Sequence, residues 1–418
     1  MDLRFQLRDD CGVPVQRIPF NWWTFFQAEK EVGEITQFQG HYSPIRTPLL
    51  HGLLNVRRGK NLHHILEVWR RVSPMPYLDN RNLTFDLFSK YLLAYTKREF
   101  TEDGLYREKS IGQSPEVLLG MCIVEGDPDN PDESGSYSGV DGGNTAEQMI
   151  DLVDRCLASN PEVASGITEV VNVGGVGLSD HPVSLNGENL LDVLNDMEAA
   201  SYHAFSRGFI PQPVSFRLVP NSDSTWRFEV GLFGTDRRVS STNANPILLS
   251  ARLGNIRYIS SVSDHTKSVS EVRVFDSDGN FEVVEDLERL GYSRFNRRQR
   301  HSNGRNVEGG ATDELIAVGE ADLRELGELD EIEVGLFQQS GARFGFDFFM
   351  RDWISTSLDR DDVFDYQVRG VKIAYNNNGV PTLALTLTTL DGRSRGGRSA
   401  FEQVVDLLTA LDRKIDLP

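Results

Sequence analysis

Cysteine is scarce. Cys11, Cys122 and Cys156 are the only three in 418 residues, far apart and outside any C-x-x-C pairing. That argues against a disulfide framework and against a zinc site, and leaves small buried hydrophobes as the expectation. No run of roughly 18 apolar residues occurs, so nothing in the sequence is expected to span a bilayer. Residues 1–13 carry three aspartates and no apolar stretch, and do not read as a secretory signal. Lysine is rare as well: eight, against 35 arginines, while aspartate outnumbers glutamate by 34 to 28. Few lysines and many short carboxylates suit a surface kept solvated where salt screens exposed charge, which points to a salt-loving host, with a high-GC genome as the alternative reason for arginine in place of lysine.

What is present is a chain long enough for two to four compact units. Its net charge of −19 is unevenly placed. Residues 1–110 hold 16 basic and 13 acidic groups, residues 111–200 one basic group (Arg155) and 17 acidic, and residues 201–418 hold 26 and 32. The acidity is therefore local. A segment as negative as 111–200 repels phosphate, so direct DNA gripping by it is not expected.

The first stretch reads as β-structure. Leu3-Arg4-Phe5-Gln6-Leu7-Arg8 alternates apolar and polar, the pattern of a half-buried strand. Residues 20–26 are dense in aromatics, including Trp22 and Trp23, which core packing explains by default and an interface patch as the alternative. Leu54 to Arg58 reads as a strand entering a turn at Gly59-Lys60, and residues 62–72 suit either helix or strand. Helices are expected in the middle. Phe85, Phe88, Leu92 and Tyr95 share one helical face. Thr145-Ala146-Glu147-Gln148 is a capping-box pattern leading into the stripe Ala146, Met149, Ile150, Val153 and Leu157, which Pro161 ends. A third helix is expected over 188–205, marked by Leu190, Leu191, Leu194, Met197 and Phe205. Residues 126–144, rich in Asp, Pro, Gly and Ser, read as a long exposed loop.

Strand patterns return after Pro211. Residues 226–232 alternate, as do 269–275, and Asp278-Gly279 is a hairpin turn signal leading into Phe281-Glu282-Val283-Val284. A clearer hairpin runs from Val371–Tyr375 through Asn378-Gly379 to Leu383–Leu387, with Pro381 at a strand start or edge. The end differs. Residues 393–398 form a basic loop, and Ser399 and Glu402 cap an amphipathic helix with Phe401, Val404, Val405, Leu408 and Leu411 on one stripe. That helix either docks on its own domain or seeks a partner.

Chemistry is sought and not found. Ser179-Asp180-His181 holds the residue types of a nucleophilic triad, but adjacent side chains diverge, and a turn explains them. Gly174-Gly175-Val176-Gly177 lacks dinucleotide-loop spacing and no Gly-Lys-Ser/Thr follows. Asp276, Asp278 and Asn280 resemble the start of a calcium loop, yet Gly279 stands at the fourth place and no glutamate at the twelfth, so a hairpin turn fits better. Asp127, Asp129, Asp132 and Glu133 read as a solvated acidic loop, with a loose cation site as the alternative. His63 and His64 are neighbours and make a poor metal pair. Arg294, Arg297, Arg298, Arg300 and Arg305 form the one basic cluster, read as a solvated loop or as salt bridges to the acidic segment, with phosphate contact as the alternative. No catalytic, cofactor-binding or metal-binding residues are assigned, no cofactor is expected, and the chain is not expected to be an enzyme.

Several short stretches carry a resemblance, in this order: Asn189-Leu190-Leu191-Asp192-Val193-Leu194; the 226–232 strand followed by Gly234-Thr235-Asp236-Arg237; Leu253-Gly254-Asn255-Ile256; the 269–275 strand; and residues 344–354, from Phe344-Gly345-Phe346 to Trp353-Ile354. This order, over about three quarters of the chain, resembles the tail-tip (baseplate) hub proteins of long-tailed, non-contractile phages and archaeal tailed viruses, a family similar in fold to the baseplate hubs of contractile phages. The chain departs from the family in two places. Arg351-Asp352-Trp353-Ile354 stands where the family has Gly-Asp before a valine-rich strand, and Ser268 to Ser270 where it has an asparagine opening a strand.

The resemblance implies an α+β, β-rich multidomain chain with two β-barrel-like tube domains and a helical insert. The expected division is 1–82 as a first β domain, 83–210 as an acidic helix-containing insert, 211–290 as a β domain, 291–392 as a second β domain with a closing hairpin, and 393–418 as basic loop and helix. It implies a structural protein of the virion at the tail tip, a homotrimer that forms part of the DNA conduit. Its partners would be copies of itself, tail tube and distal tail ring proteins, the tape-measure protein and receptor-binding or fibre proteins, with DNA passing unbound along acidic walls and the acidic segment facing solvent. Alternatives are another tail ring protein, an adhesin for glycan or surface layer, or a tail-associated hydrolase using Asp359, Asp361, Asp362 and Asp365 as acid and base.

Overall fold

A computed structural model gives the fold. It describes residues 3–388 with breaks, the longest at 44–64 (Leu54 excepted), 72–84, 125–142 (136–137 excepted) and 304–328 (a few residues excepted), and nothing beyond 388. The chain divides into two compact units, Met1–Ile259 with Glu333–Gly392, and Ser260–Ile332 with Arg393–Pro418. This partition differs from the five-part division above: strands at both ends of the sequence share the first unit.

In chain order the first unit begins with β1 (Leu3–Arg8), β2 (Pro14–Ile18), β3 (Phe25–Glu31), β4 (Gln37–Tyr42), β5 (Ile65–Arg71), β6 (Phe85–Phe100) and β7 (Tyr106–Gln113). Helices Glu116–Gly120, Thr145–Ser159, Pro161–Ala164 and Leu190–Ser206 follow, interleaved with β8 (Ser136–Tyr137), β9 (Ile167–Asn172) and β10 (Val183–Ser184). Next come β11 (Ser215–Pro220), β12 (Trp226–Gly231), β13 (Leu248–Ser250) and β14 (Ile256–Asp264), along which the chain leaves this unit. The second unit holds β15 (Glu271–Phe275), β16 (Phe281–Glu285) and β17 (Gln299–Asn303). The chain returns along β18 (Leu329–Leu336) to β19 (Trp353–Ser357), β20 (Val363–Asn376) and β21 (Thr382–Thr388).

Thirteen strands form one sheet, in the order β14-β18-β21-β20-β3-β4-β7-β6-β5-β1-β2, with β13 and β19 attached beside β20. N-terminal and C-terminal strands join where β3 pairs β20, Gly370 opposite Glu31 through Asn376 opposite Phe25. Among the described residues the path does not close on itself, so the expected pair of closed barrels is not seen. Two long strands divide their length between partners. Leu92 of β6 faces Ile65 of β5 and Gln113 of β7, and beyond it, among the described residues, the pairing continues with β7 past a bulge at Leu93/Tyr95. Gln367 of β20 likewise faces both Trp353 of β19 and Thr388 of β21.

The alternation expected for β1 holds: Leu3, Phe5 and Leu7 are buried and their neighbours are half-buried. Phe5, Trp23, Phe26, Phe38 and Tyr91 make an aromatic core, Phe5 meeting Phe26 edge-on with centroids 4.5 Å apart and Phe38 meeting Tyr91 at 5.5 Å. Gly40 is needed beneath it, because a Cβ there would lie 2.1 Å from the Trp23 ring.

The helix expected through Phe85, Phe88, Leu92 and Tyr95 is instead strand β6. Its apolar spacing fits a helix, yet the strand is covered on both faces: Ser89, Tyr91 and Leu93 are buried on one, Phe88 and Lys90 on the other. Pairing along both edges then overrides the local pattern. Residues 65–71 of the ambiguous stretch are strand β5.

The helical region is present as expected. Helices Thr145–Ser159 and Leu190–Ser206 pack on a three-stranded sheet, β11-β12-β9, in which β12 runs parallel to β9 and antiparallel to β11. Met149, Leu152, Val153, Leu194 and Met197 meet Phe216, Trp226 and Phe228 in its core. The first helix is capped by Asn144, one residue before the expected Thr145: Asn144 Oδ1 accepts from Ala146 N (3.1 Å) and Glu147 N (3.2 Å), and Glu147 reaches back to Asn144 N (3.2 Å). Pro161 does not sit in that helix but opens the next turn, at its first position.

In the second unit β16-β15-β17 form a small sheet over Val269, Val272, Val274 and Leu315. The two expected hairpins are there: β15 pairs β16 from Phe275 opposite Phe281, and β20 pairs β21, with Pro381 just outside the strand. Both turn dipeptides lie outside the described residues, as do Leu54–Arg58 in large part and the 393–418 segment.

Candidate functional site

Three of the stretches that carried the resemblance, 234–237, 253–256 and 344–354, lie in or beside one buried polar core of the first unit. It begins with a tight segment ahead of β19. Phe346 N and Asp347 N both donate to Arg343 O (3.1 and 2.8 Å), and Arg343 N and Nε donate to Asp347 Oδ2 (2.8 and 2.9 Å). Arg351 then adopts a φ of 70°, the one non-glycine residue with positive φ among those described. For an L-residue this left-handed conformation costs about 1 kcal/mol or more.

Its surroundings hold it there. Arg351 N donates to Val368 O (2.7 Å), and Arg351 O accepts from Gln367 Nε2 (3.1 Å). The guanidinium is buried, with Nη1 3.1 Å and Nη2 3.5 Å from the two oxygens of Glu198, while Nη2 also donates to Phe216 O. Glu198 Oε1 takes a second hydrogen bond from Arg369 Nη1 at 3.2 Å. Gln367 Nε2 also donates to Tyr202 Oη (2.7 Å), and Arg369 lies over the Tyr202 ring at 5.7 Å. Burial first, and then the Glu198 charge, pushes the Tyr202 phenol up, against the lowering pull of Arg369 and Arg351. For Arg369, burial pulls the guanidinium down, but Glu198, Tyr202 and Glu31 outweigh it and the net shift is upward. Arginine keeps its proton at any working pH, so this core supplies geometry, fixing helix Leu190–Ser206 to β20 and the β19 entry.

Asp352 extends the same core. Its Oδ1 accepts from Thr235 N (2.7 Å), and its Oδ2 from Arg237 Nε (2.7 Å) and Phe349 N (3.0 Å). Gly234 makes this approach possible: its φ is +94°, and a Cβ there would stand 2.1 Å from Arg351 O. Asn255 closes the neighbouring turn, accepting from Ser250 N and donating to Leu248 O, both at 2.8 Å. Sequence reasoning had quoted Arg351, Asp352, Gly234 and Asn255 but missed Glu198, Tyr202, Gln367 and Arg369. A signal existed in the helix: Glu198, Ser201 and Tyr202 continue the apolar stripe of Leu194 and Met197, where a carboxylate requires a buried partner.

A second ionic contact ties the β11–β12 turn to the large sheet. Buried Glu67 meets Arg8 Nε at 2.7 Å and Lys90 Nζ at 3.3 Å. Lys90 also donates to Asn221 O (2.8 Å) and to Asp223 O, and burial lowers its pKa against the raising effect of Glu67.

The other candidates fall as follows. Cys122 and Cys156 are buried, as expected, and Cys11 is exposed. Asp276 bonds Asn280 N (2.8 Å) and Nδ2 (3.0 Å), a hairpin arrangement. Of the basic cluster, Arg297 pairs with Glu271 and Glu285 of its own small sheet, not with the acidic segment 111–200. Asp365 accepts from Ser355 Oγ (2.6 Å), while Asp359, Asp361 and Asp362 lie outside the described residues. So do Ser179-Asp180-His181, His63, His64, Arg294, Arg305, Asp127, Asp129, Asp132 and Glu133. Among the described residues no three His, Cys, Asp or Glu side chains are grouped to hold a metal ion. No described helix is long and apolar enough to cross a membrane.

No protein-family model matches the sequence, and no curated protein does. Solved structures do match in fold. The chain is similar to the 43 kDa tail protein of prophage MuSo2 from Shewanella oneidensis, at 10% identity and a TM-score of 0.55, over 93% of this chain and 98% of that one. It is also similar to the tail protein from Neisseria meningitidis MC58, at 14% identity and a TM-score of 0.51, over 93% and 97%. The architecture is therefore a β-rich multidomain fold similar to that of these two proteins, with a helical insert.

Proposed function

We propose that this chain is a structural protein of a viral tail, the trimeric hub at the tail tip, and that it is not an enzyme. The observation that carries the reading is the match in fold, nearly end to end on both sides, to two tail proteins. The sheet supports it physically. Its path ends at β14 and β2, each with one edge unpaired among the described strands, and an open edge is a template for another chain. In this reading the two strand sets joined at β3 and β20 serve as two open tube modules in each copy, and three copies complete a six-fold-like collar around the DNA path. Acidic walls let DNA pass, since fixed anions release no counterions from it. Tail tube, distal ring, tape-measure and receptor-binding proteins are the neighbours this position requires.

The test is native mass spectrometry of the purified chain together with labelled electron microscopy of the virion. A species of three times 46.9 kDa, and label at the tail tip, are expected. A monomer at every concentration, or label away from the tail axis, overturns the proposal; a hexamer assigns the chain to a distal ring instead. Clearing of host envelope by the pure protein, lost on Asp365→Asn, overturns the non-enzymatic reading.

A further inference from the structure

We propose that the small sheet β16-β15-β17 of the second unit joins copies of this chain, the β16 edge of one copy lying against the β17 edge of the next. Among the described strands both outer edges of this sheet are unpaired. A bare edge offers its N–H and C=O groups to any strand that fits, and prolines or bulges are devices that block it. Neither edge strand carries a proline, and no bulge interrupts either pairing. Glu271 to Phe275 face Glu285 to Phe281 on one side and Gln299 to Asn303 on the other.

Charge distinguishes the two edges and selects the occupant. Glu282 stands on β16 and Asp286 just past it, with no basic residue among 281–286. Arg298 precedes β17 and Arg300 stands on it, both exposed, with His301 beside them and no acidic residue among 297–303. Glu285 and Arg297 do not enter this comparison, because they meet each other within the sheet at 3.2 Å. An acidic edge repels its own kind, and so does a basic one. Contacts of β16 with β16 or of β17 with β17 are therefore opposed, and the acidic edge against the basic one is favoured. Such a contact uses different patches on the two partners, and repeated around an axis it closes into a ring.

The register fits. Copies turned about an axis along the strands keep strand direction, so β16 of one copy meets β17 of the next antiparallel, as it meets β15 in its own sheet. Asp286 and Arg298 flank Ser270 in one row: Asp286 N donates to Ser270 O at 2.9 Å, and Ser270 N to Arg298 O at 3.0 Å. Continuing the rows across the contact sets Asp286 opposite the next copy's Arg298. Glu282 then lies one diagonal from the next copy's Arg300, a distance that long side chains span. The inference rests on the reading that copies of this chain associate, and it names a surface through which they do.

The experiment uses the full chain carrying Asp286→Cys and Arg298→Cys, with Cys11→Ser because Cys11 is exposed. Within one chain these positions stand two strands apart, about 10 Å, too far for a disulfide, whereas across the contact they are direct partners. After oxidation with copper phenanthroline, a non-reducing gel is expected to show bands at two and three times 46.9 kDa, which neither single-cysteine variant gives. Reversing one edge, by Glu282→Arg with Asp286→Arg, is expected to weaken association about tenfold in sedimentation at about 0.1 M salt. Reversing the other edge of the same chain as well, by Arg298→Glu with Arg300→Glu, is expected to restore it. Oligomers that do not cross-link, cross-linking by a single-cysteine variant, or a double reversal that melts with the parent yet stays weak overturns the inference and leaves the tail-hub reading standing. A monomer at every concentration overturns both.

Discussion

Replacing Arg351 separates two opposed contributions at one position. Its guanidinium and Glu198 form a buried ion pair, and removing one partner of such a pair costs about 3–5 kcal/mol. Glu198 retains Arg369 at 3.2 Å, which places the loss toward the lower end. The backbone pulls the other way, because a φ of 70° burdens arginine and not glycine, and Arg351→Gly recovers about 1 kcal/mol. The net expectation is destabilisation by about 2–3 kcal/mol for Arg351→Gly, and by about 1 kcal/mol more for Arg351→Ala, which keeps the strain. Urea unfolding of the full chain, followed by tryptophan fluorescence, reads both differences as midpoint shifts; buried Trp353 and Trp226 report on this unit. A glycine variant as stable as the parent refutes the ion-pair argument. An alanine variant more stable than the glycine one refutes the strain argument.

Asn144→Ala removes the cap of helix Thr145–Ser159 and is expected to cost about 1 kcal/mol, measured by thermal circular dichroism. Gly234→Ala sets a Cβ against Arg351 O at a positive φ and is expected to cost about 1–3 kcal/mol or to abolish soluble expression; a neutral effect contradicts the close approach. For Glu271, burial pushes the carboxyl up, but hydrogen bonds from Gln299, Arg297 and Arg273 outweigh it and hold it at about 2, against an ordinary 4.5. Its stabilisation is therefore complete above pH 4.5 and lost as pH falls toward 2, and hydrogen exchange of the β15 amides should show that acid dependence in the parent but not in Glu271→Gln. Melting temperature is expected to rise in molar potassium chloride, as the lysine-poor, aspartate-rich surface implies; a flat or falling curve rejects a salt-adapted protein.

Elements whose apolar residues share one face were legible from sequence. β1, β12, the β15–β16 and β20–β21 hairpins, and the helices beginning at Thr145 and Leu190 each show a period of two or of 3.6 because apolar residues keep to one face, although in β12 and β20 polar residues such as Glu229 and Gln367 are buried on the other. β6 shows no such contrast. Covered on both sides, it buries Lys90 under the Asn221 and Asp223 carbonyls, and a lysine in the sequence reads as surface. The polar core was illegible for a different reason. Glu198, Arg351 and Arg369 lie on three separate elements, and no local spacing announces a meeting across 153 and 171 residues.

The departure from the resembling family at Arg351 now has a physical reason. Glycine at a left-handed position leaves the backbone free and contributes no side chain. Arginine accepts the strain and in return reaches helix Leu190–Ser206 through Glu198 and β11 through Phe216 O. Lys90, paired with Glu67 within the large sheet, ties the far end of the same layer, the β11–β12 turn, to β6 by donating to the Asn221 and Asp223 carbonyls. Pinned by buried charges at two separated points, the helical layer cannot swing on its sheet without stripping Glu198 of its arginines or Lys90 of its carbonyl acceptors, at a cost of several kcal/mol. Within the first unit it is a fixed part of the body.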